Sequence, residues 1–174
     1  HLSLRRQRQM CIRDRNYILV TGSSGLVGSE ASIFFHEKNF KILGLDNDKR
    51  SYFFGKSAST KKMTKKLKGE LKNYKHLNID ITDLKNLEKI FLKYKNKIKC
   101  IIHAAAQPSH DWAEKEPLTD FSINASGTLN LLYLTKKYCK KSVFIYVSTN
   151  KVYGDLPTSL PLIEKKTRYE IKAS

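Results

Sequence analysis

The stretch Thr21-Gly22-Ser23-Ser24-Gly25-Leu26-Val27-Gly28 constrains this chain more than any other, because of what flanks it. Before it stands Tyr17-Ile18-Leu19-Val20-Thr21, short, apolar and β-branched. After it, Leu26 to Lys38 repeats its apolar residues with helical spacing. A strand that turns on glycine directly into a helix leaves the first amides of the helix facing the turn, and such an end attracts anions. Gly22 permits the turn, Gly25 lets backbone approach a pyrophosphate, and Gly28 allows the helix to pack closely on the strand. Lys41-Ile42-Leu43-Gly44-Leu45 then reads as a second buried strand that closes on Asp46. The opening is a βαβ unit, since parallel strands need a crossover.

The same alternation continues. Asp48 to Lys75 is Lys-rich and without clear period, and is expected to be a surface excursion with one short helix, opened by the aromatic cluster Tyr52-Phe53-Phe54. His76 to Ile81 is a third strand, Leu84 to Lys95 an amphipathic helix behind Asp83 as N-cap, and Cys100 to Ala106 a fourth strand. A loop containing Gln107-Pro108-Ser109-His110-Asp111-Trp112 leads to a long helix from about Leu118 to Lys140, and Val143 to Val147 is a fifth strand. Apolar strands alternating with helices define an α/β fold, a Rossmann-like doubly wound parallel sheet of order 3-2-1-4-5, with its cleft between strands one and four.

Charge does not redirect this reading. The 174 residues carry a formal +17, but His1 to Arg15, with five Arg against one Asp, contribute +4 of it. That segment lacks periodicity, and Arg8-Gln9-Met10-Cys11-Ile12-Arg13-Asp14-Arg15 resembles a translated sequencing adapter, so residues 1–15 are expected to be a non-native, disordered leader and residues 16–174 the dinucleotide-binding domain. The rest is Lys-rich alongside Asn and Ile, a compositional bias rather than a nucleic-acid signature. A nucleic-acid partner is therefore not expected, and the rival it leaves is a non-catalytic dinucleotide- or RNA-binding module using Lys61, Lys62, Lys65, Lys66 and Lys68. No run approaches the ~20 apolar residues of a membrane span, and the spacing of Cys11, Cys100 and Cys139 suggests neither metal nor disulfides. A cytoplasmic protein without membrane or metal is expected.

Several residues carry chemistry. Asp46, at the tip of strand two, can accept hydrogen bonds from both hydroxyls of an adenosine ribose and repel a 2′-phosphate, which favours NAD, although Lys49 and Arg50 leave an NADP preference open. Asp80-Ile81 fits either an adenine contact or a simple turn. His103-Ala104-Ala105-Ala106 offers small side chains where a cofactor crosses the sheet edge, with His103 read as packed rather than as a ligand.

With Asn124-Ala125-Ser126-Gly127-Thr128 and Val147-Ser148-Thr149-Asn150-Lys151-Val152-Tyr153-Gly154, these motifs resemble extended short-chain dehydrogenase/reductases, the NAD-dependent epimerases and dehydratases of nucleotide sugars. Within that superfamily, Tyr52-Phe53-Phe54-Gly55, Ala58-Ser59-Thr60, Gln107 to Ala113 and Ser148 to Asp155 resemble CDP-paratose 2-epimerases. The resemblance implies NAD held by Gly22, Gly25, Leu26, Val27 and Gly28, by Asp46 and Asn47, by Asp80 and Ile81, and by Ala104, Ala105, Ala106, Gln107 and Val147. It implies Thr149 as the catalytic hydroxyl that holds the reacting sugar oxygen. A CDP-sugar is the expected substrate, near Ser109, His110, Asn150 and Lys151, with oxidation at sugar C2 reversed on the opposite face.

Related dehydratases place an Asp-Glu pair where this chain has Asn150 and Lys151. Asn cannot protonate a leaving hydroxyl and Lys would need a strongly lowered pKa to act as base, so epimerisation is favoured over dehydration. The superfamily's base is the Tyr of a Tyr-x-x-x-Lys pair after strand five. Downstream of Thr149 the chain offers none: Tyr153 is followed by Pro157 and Tyr169 by Ala173, while Tyr133-Lys137 and Tyr52-Lys56 have the spacing on the wrong elements. The chain is accordingly expected to be an inactive N-terminal piece, stopping before the later strands and the substrate domain, whose full-length parent forms a homodimer.

Overall fold

The computed structural model describes residues 17–172, so the leader expected over residues 1–15 lies outside it. Five strands, β1 (Tyr17–Thr21), β2 (Lys41–Leu45), β3 (Tyr74–Leu77), β4 (Ile98–His103) and β5 (Val143–Tyr146), form one parallel sheet in the order β3-β2-β1-β4-β5. This is the Rossmann-like order expected from the sequence.

Side chains alternate across the sheet because successive Cβ atoms point to opposite faces. On one face Leu19, Leu43 and Ile101 meet Leu87 and Phe91 of α4 (Leu84–Tyr94) and Leu131 and Leu134 of α7 (Gly127–Tyr138). On the other, Ile18, Val20, Ile42 and Ile102 meet Ala31 and Phe35 of α1 (Leu26–Glu37). Each fully buried Leu or Ile contributes about 1.5–3 kcal/mol, and the central strand β1 is covered on both sides.

The excursion after β2 is more ordered than its composition suggests. It holds α2 (Arg50–Phe54), a 3₁₀ turn (Lys56–Ala58) and α3 (Lys61–Glu70). The buried side of α3 is carried by Thr60, Leu67 and Leu71, with Thr64 bonded to Ser24. The third strand also lies earlier than its sequence suggests. It pairs Leu77 with Leu45, the last residue of β2, so Asp80 and Ile81 fall in the turn beyond it. β4 starts at Ile98 and ends at His103, leaving Ala104, Ala105 and Ala106 as loop.

Trp112 sits in a short helix, α5 (His110–Lys115), rather than in a loop. The long helix that follows is divided into α6 (Pro117–Phe121), a π turn (Ser122–Ser126) and α7. After β5 come a 3₁₀ turn (Asn150–Tyr153), α8 (Leu156–Ser159) and an antiparallel hairpin of β6 (Leu162–Glu164) and β7 (Tyr169–Ile171). The edge strands are not buried throughout: Val143, Ile145 and Tyr146 of β5 are exposed.

Register positions the site. Thr21 lies beside Leu45 on one side and beside His103 on the other, so the segments after β1, β2 and β4 all leave the sheet along one edge.

Candidate functional site

The glycine turn is stitched to both neighbouring strands. Gly22 adopts φ +65, and a Cβ there would lie 2.9 Å from the Ala105 backbone, so the turn and the exit of β4 touch main chain to main chain. Ser23 N donates to Leu45 O at 3.2 Å. At Gly28 a Cβ would fall 2.0 Å from Gly22 O, which is why the helix can lie so close to the turn. Gly25 caps α1 without a side-chain hydrogen bond, and the amides of Leu26, Val27 and Gly28 follow it. First-turn amides have no acceptor inside their own helix and concentrate its positive end.

Facing them is a group of carboxylates held by donors. Asp46 Oδ2 accepts from Ser24 N at 3.0 Å, while Oδ1 accepts from Asp48 N at 3.0 Å and from Thr60 Oγ1 at 2.9 Å. Counting lone pairs, Oδ1 is filled and Oδ2 keeps room for one more donor. Burial alone would raise the Asp48 carboxyl, but the Thr60 amide and the Ser59 hydroxyl hold it below its usual value. The same balance acts at Asp80. Burial opposes ionisation there, and the Thr82 amide and hydroxyl together with Lys49 Nζ at 3.0 Å outweigh it. Asn47 Nδ2 also donates to Asp80, at 2.9 Å.

The third wall is fixed from behind by a buried polar relay. Thr128 Oγ1 donates to Asn124 O at 2.6 Å, so its contact with His103 Nε2 at 2.9 Å has the imidazole as donor. Nδ1 then accepts from Thr21 Oγ1 at 2.7 Å, and Thr21 Oγ1 accepts from Ala105 N at 3.2 Å. His103 is 2% exposed, and burial pushes its pKa down to about 4, which suits this neutral form. Further along, Asn124 clamps Gln107 by accepting from its N at 2.9 Å and donating to its O at 3.0 Å. The Gln107 side chain is turned to Asp120 and to the backbone of Ser109.

These walls enclose a cleft of about 240 Å³. Of the residues expected to hold a cofactor, Gly22, Gly25, Leu26, Val27 and Gly28 line it at the turn, and Asp46, Asn47, Asp80 and Ile81 line the acidic side. Ala104, Ala105 and Ala106 line the third wall. Gln107 and Val147 lie outside it. Gln107 is buried in the relay, and Val147 N continues the sheet by donating to His103 O at 3.1 Å. Ser109 caps α5, and His110 is its exposed first residue. Thr149, exposed beyond β5 and accepting from Val152 N at its carbonyl, is not among the lining residues, and the side chains of Asn150 and Lys151 lie outside the described ones.

Neither Tyr-Lys pair of matching spacing faces the cleft. Lys137 pairs with Glu88 at 2.9 Å and lies over the Tyr133 ring, and Tyr52 donates to Glu116. Lys49 and Arg50, read in the sequence as neighbours of a 2′-phosphate position, line the cleft, and sequence reasoning missed Phe53, Phe54, Thr60 and Ile123, which line it from the excursion and the π turn. The aromatic run at 52–54 was the available signal. Among the described residues, no helix is long and apolar enough to cross a membrane, and no group of three or more His, Cys, Asp or Glu is placed to hold a metal.

Comparison with known proteins agrees with this geometry. The family model described as "NAD dependent epimerase/dehydratase family" matches residues 18–173. UDP-glucose 4-epimerase of Caenorhabditis elegans is 33% identical over 153 residues, covering 86% of this chain and 42% of that protein. CDP-paratose 2-epimerase of Salmonella typhi is 32% identical over 154 residues, covering 87% and 42%. Among solved structures, UDP-glucose 4-epimerase from Bifidobacterium longum in complex with NAD+ and UDP superposes with a TM-score of 0.65 at 25% identity, covering 80% of this chain and 38% of that one. The chain thus spans about two fifths of the length of these curated relatives. With the glycine turn, the sheet order and the matched residues in agreement, the chain belongs to the NAD dependent epimerase/dehydratase family.

Proposed function

We propose that this chain binds NAD in the cleft and forms the dinucleotide-binding part of a nucleotide-sugar epimerase of the CDP-paratose 2-epimerase kind. One observation carries the reading: the uncapped start of α1 and the Asp46 carboxylate line the same cleft, an anion site beside a hydroxyl acceptor. The chain's residues fit the cofactor. The amides of Leu26, Val27 and Gly28 hold the pyrophosphate, and Gly25, with no side chain between them and the cleft, lets it approach. Asp46 Oδ2 accepts from one ribose hydroxyl, its other positions being filled by Ser24, Asp48 and Thr60. Asp80 and Ile81 flank the adenine, and the small Ala104, Ala105 and Ala106 leave the path across the sheet edge free.

NAD, when bound, supplies reversible two-electron oxidation and reduction. Thr149 holds the oxygen of the reacting sugar hydroxyl, near Ser109, His110, Asn150 and Lys151. Asn150 and Lys151 favour epimerisation, because Asn has no proton to give a leaving hydroxyl and Lys needs a strongly lowered pKa to act as base. The Salmonella relative supports a CDP-sugar, and the Caenorhabditis relative makes a UDP-sugar the alternative outcome.

Calorimetric titration with NAD and NADP tests the cofactor: tighter binding of NAD is expected, and no binding of either by folded protein overturns the reading. Turnover of CDP-paratose against UDP-glucose by the protein from the whole gene tests the substrate. Thr149→Val should lower that turnover about 100-fold or more and leave NAD affinity unchanged.

A further inference from the structure

Residues 49–54 and the exit of β4 are facing walls of the cleft, and the two are tied together. Arg50, Phe53 and Phe54 line it from one side, Ala105 and Pro108 from the other. The tie is made by α5, immediately after Pro108. Trp112 Nε1 donates to Phe53 O at 2.6 Å, and the Trp112 ring lies 5.5 Å from that of Phe53 and 5.7 Å from that of Tyr52. Tyr52 Oη donates to Glu116 at 2.9 Å, just past the end of α5. Phe53 is the last but one residue of a five-residue helix, and its carbonyl, with no amide four residues on in the helix to bond, is satisfied by the indole instead.

The opposite end of the segment is anchored as well. Lys49 is bonded to Asp80 at 3.0 Å, and Asp48 is held by Ser59 and Thr60. A strap fixed at both ends therefore stands over the acidic side of the cleft, with the Arg50 guanidinium stacked 5.0 Å from the Phe54 ring centre.

We propose that the strap 49–54, latched to α5 through Trp112 and Tyr52, is a pre-formed wall over the adenosine end of a bound dinucleotide, and that the latch sets how slowly the ligand leaves. This rests on the reading that the cleft binds NAD. The latch is already made in the free protein, so the ordering of the wall need not be done at the expense of binding. Loosening a pre-formed wall acts mainly on dissociation, because encounter depends on the open mouth of the cleft. Trp112 and Tyr52 are positioning residues here. They hold Phe53, and Phe53 and its neighbours form the wall.

The test is stopped-flow fluorescence of NADH binding and displacement, with ADP-ribose as displacing ligand, on the full chain carrying Trp112→Phe or Tyr52→Phe. Trp112→Phe keeps a ring and removes the indole N–H; Tyr52→Phe removes only an exposed hydroxyl and keeps the test alive should the first variant not fold. Dissociation about five- to tenfold faster for Trp112→Phe, the worth of one hydrogen bond, is expected, with association within about twofold. ADP-ribose, which lacks the nicotinamide, should lose the same factor. Unchanged dissociation in folded variants overturns the latch and leaves NAD binding standing. A rise in both rates with unchanged affinity also overturns it, since that marks a gate rather than a wall. If the unsubstituted chain ignores NADH, both the latch and the cofactor reading fall.

Discussion

The Thr21 hydroxyl lies 2.7 Å from His103 Nδ1, and this bond joins the ends of the two central strands beneath the glycine turn. Because Thr128 already donates to Asn124, the imidazole must carry its proton on Nε2 and be neutral to accept from Thr21. Protonating Nδ1 would set a second donor against Thr21 and place a charge on a ring that is almost wholly buried.

Stability should therefore fall in mild acid. The folded pKa of about 4 lies below the ordinary histidine value of 6.5, so between those values the unfolded chain binds the extra proton and the folded one does not. The contribution is intact above pH 6.5, shrinks as pH falls and is fully lost below pH 4, amounting to about 3 kcal/mol. His76, also lowered by burial and by Lys68, acts in the same direction, while Asp48 and Asp80, held below their ordinary values, lose stability only at lower pH. Urea denaturation from pH 7 to 4 should show a distinctly shallower decline for His103→Asn. Parallel declines in the two proteins would assign the effect elsewhere.

Two glycines in helices should respond oppositely to alanine. At Gly28 the new Cβ would sit 2.0 Å from Gly22 O, and only separation of α1 from the turn relieves it. Gly28→Ala is expected to cost about 3 kcal/mol and to lower NAD affinity with it. At Gly69, in α3, a Cβ meets nothing within 4 Å. Gly69→Ala should stabilise by about 0.5–1 kcal/mol. Thermal denaturation of both variants checks the pair, and equal shifts would contradict the packing described for the turn.

Asp46→Asn should separate the two dinucleotides. An amide has one acceptor oxygen, so it must give up either the Asp48 amide and the Thr60 hydroxyl or the Ser24 amide together with the site offered to the ribose, and it no longer repels a 2′-phosphate. NAD affinity should fall about tenfold, and NADP affinity should fall less or rise. Titration calorimetry with both ligands reads the ratio. An equal loss for the two would mean that Asp46 only holds the loop.

Where sequence and structure agree, a single local pattern sufficed. Val20 and Leu19 are buried on opposite faces, as a short apolar strand before a glycine turn requires, and Asp83 caps α4 as its position suggested. Where they part, tertiary packing decided. Ile79 and Ile81 look like the end of a strand, but β3 stops at Leu77 with its partner Leu45, and Ile81 is buried in the following turn against Gly127, where a Cβ would come within 2.7 Å of it. One short helix was expected in the excursion where α2 and α3 both stand, because the inner stripe of α3 is Thr60, Thr64, Leu67 and Leu71. Threonines at those places are held by hydrogen bonds to Asp46 and Ser24, which no hydrophobic period reports. The excursion therefore read as surface when it supplies part of the site.

Asn124 offers the sharpest test of the relay, because its two atoms do different work. Its oxygen accepts from Gln107 N, and its nitrogen donates both to Gln107 O and to Asp120 Oδ1 at 3.0 Å. Asn124→Leu keeps the volume and strands both backbone groups, so it should cost about 2–4 kcal/mol and speed amide exchange at Gln107 and Ser109. Asn124→Asp keeps the acceptor but brings a carboxylate against Asp120. Repulsion raises its folded pKa above the unfolded value, so the variant is least perturbed below the ordinary carboxylate range and loses stability as pH rises through the raised pKa. That slope is opposite in sign to the one expected for His103. Hydrogen exchange and urea denaturation at pH 4 and pH 7 read both effects, and an Asp variant equally stable at the two would show that the clamp does not bear on Asp120.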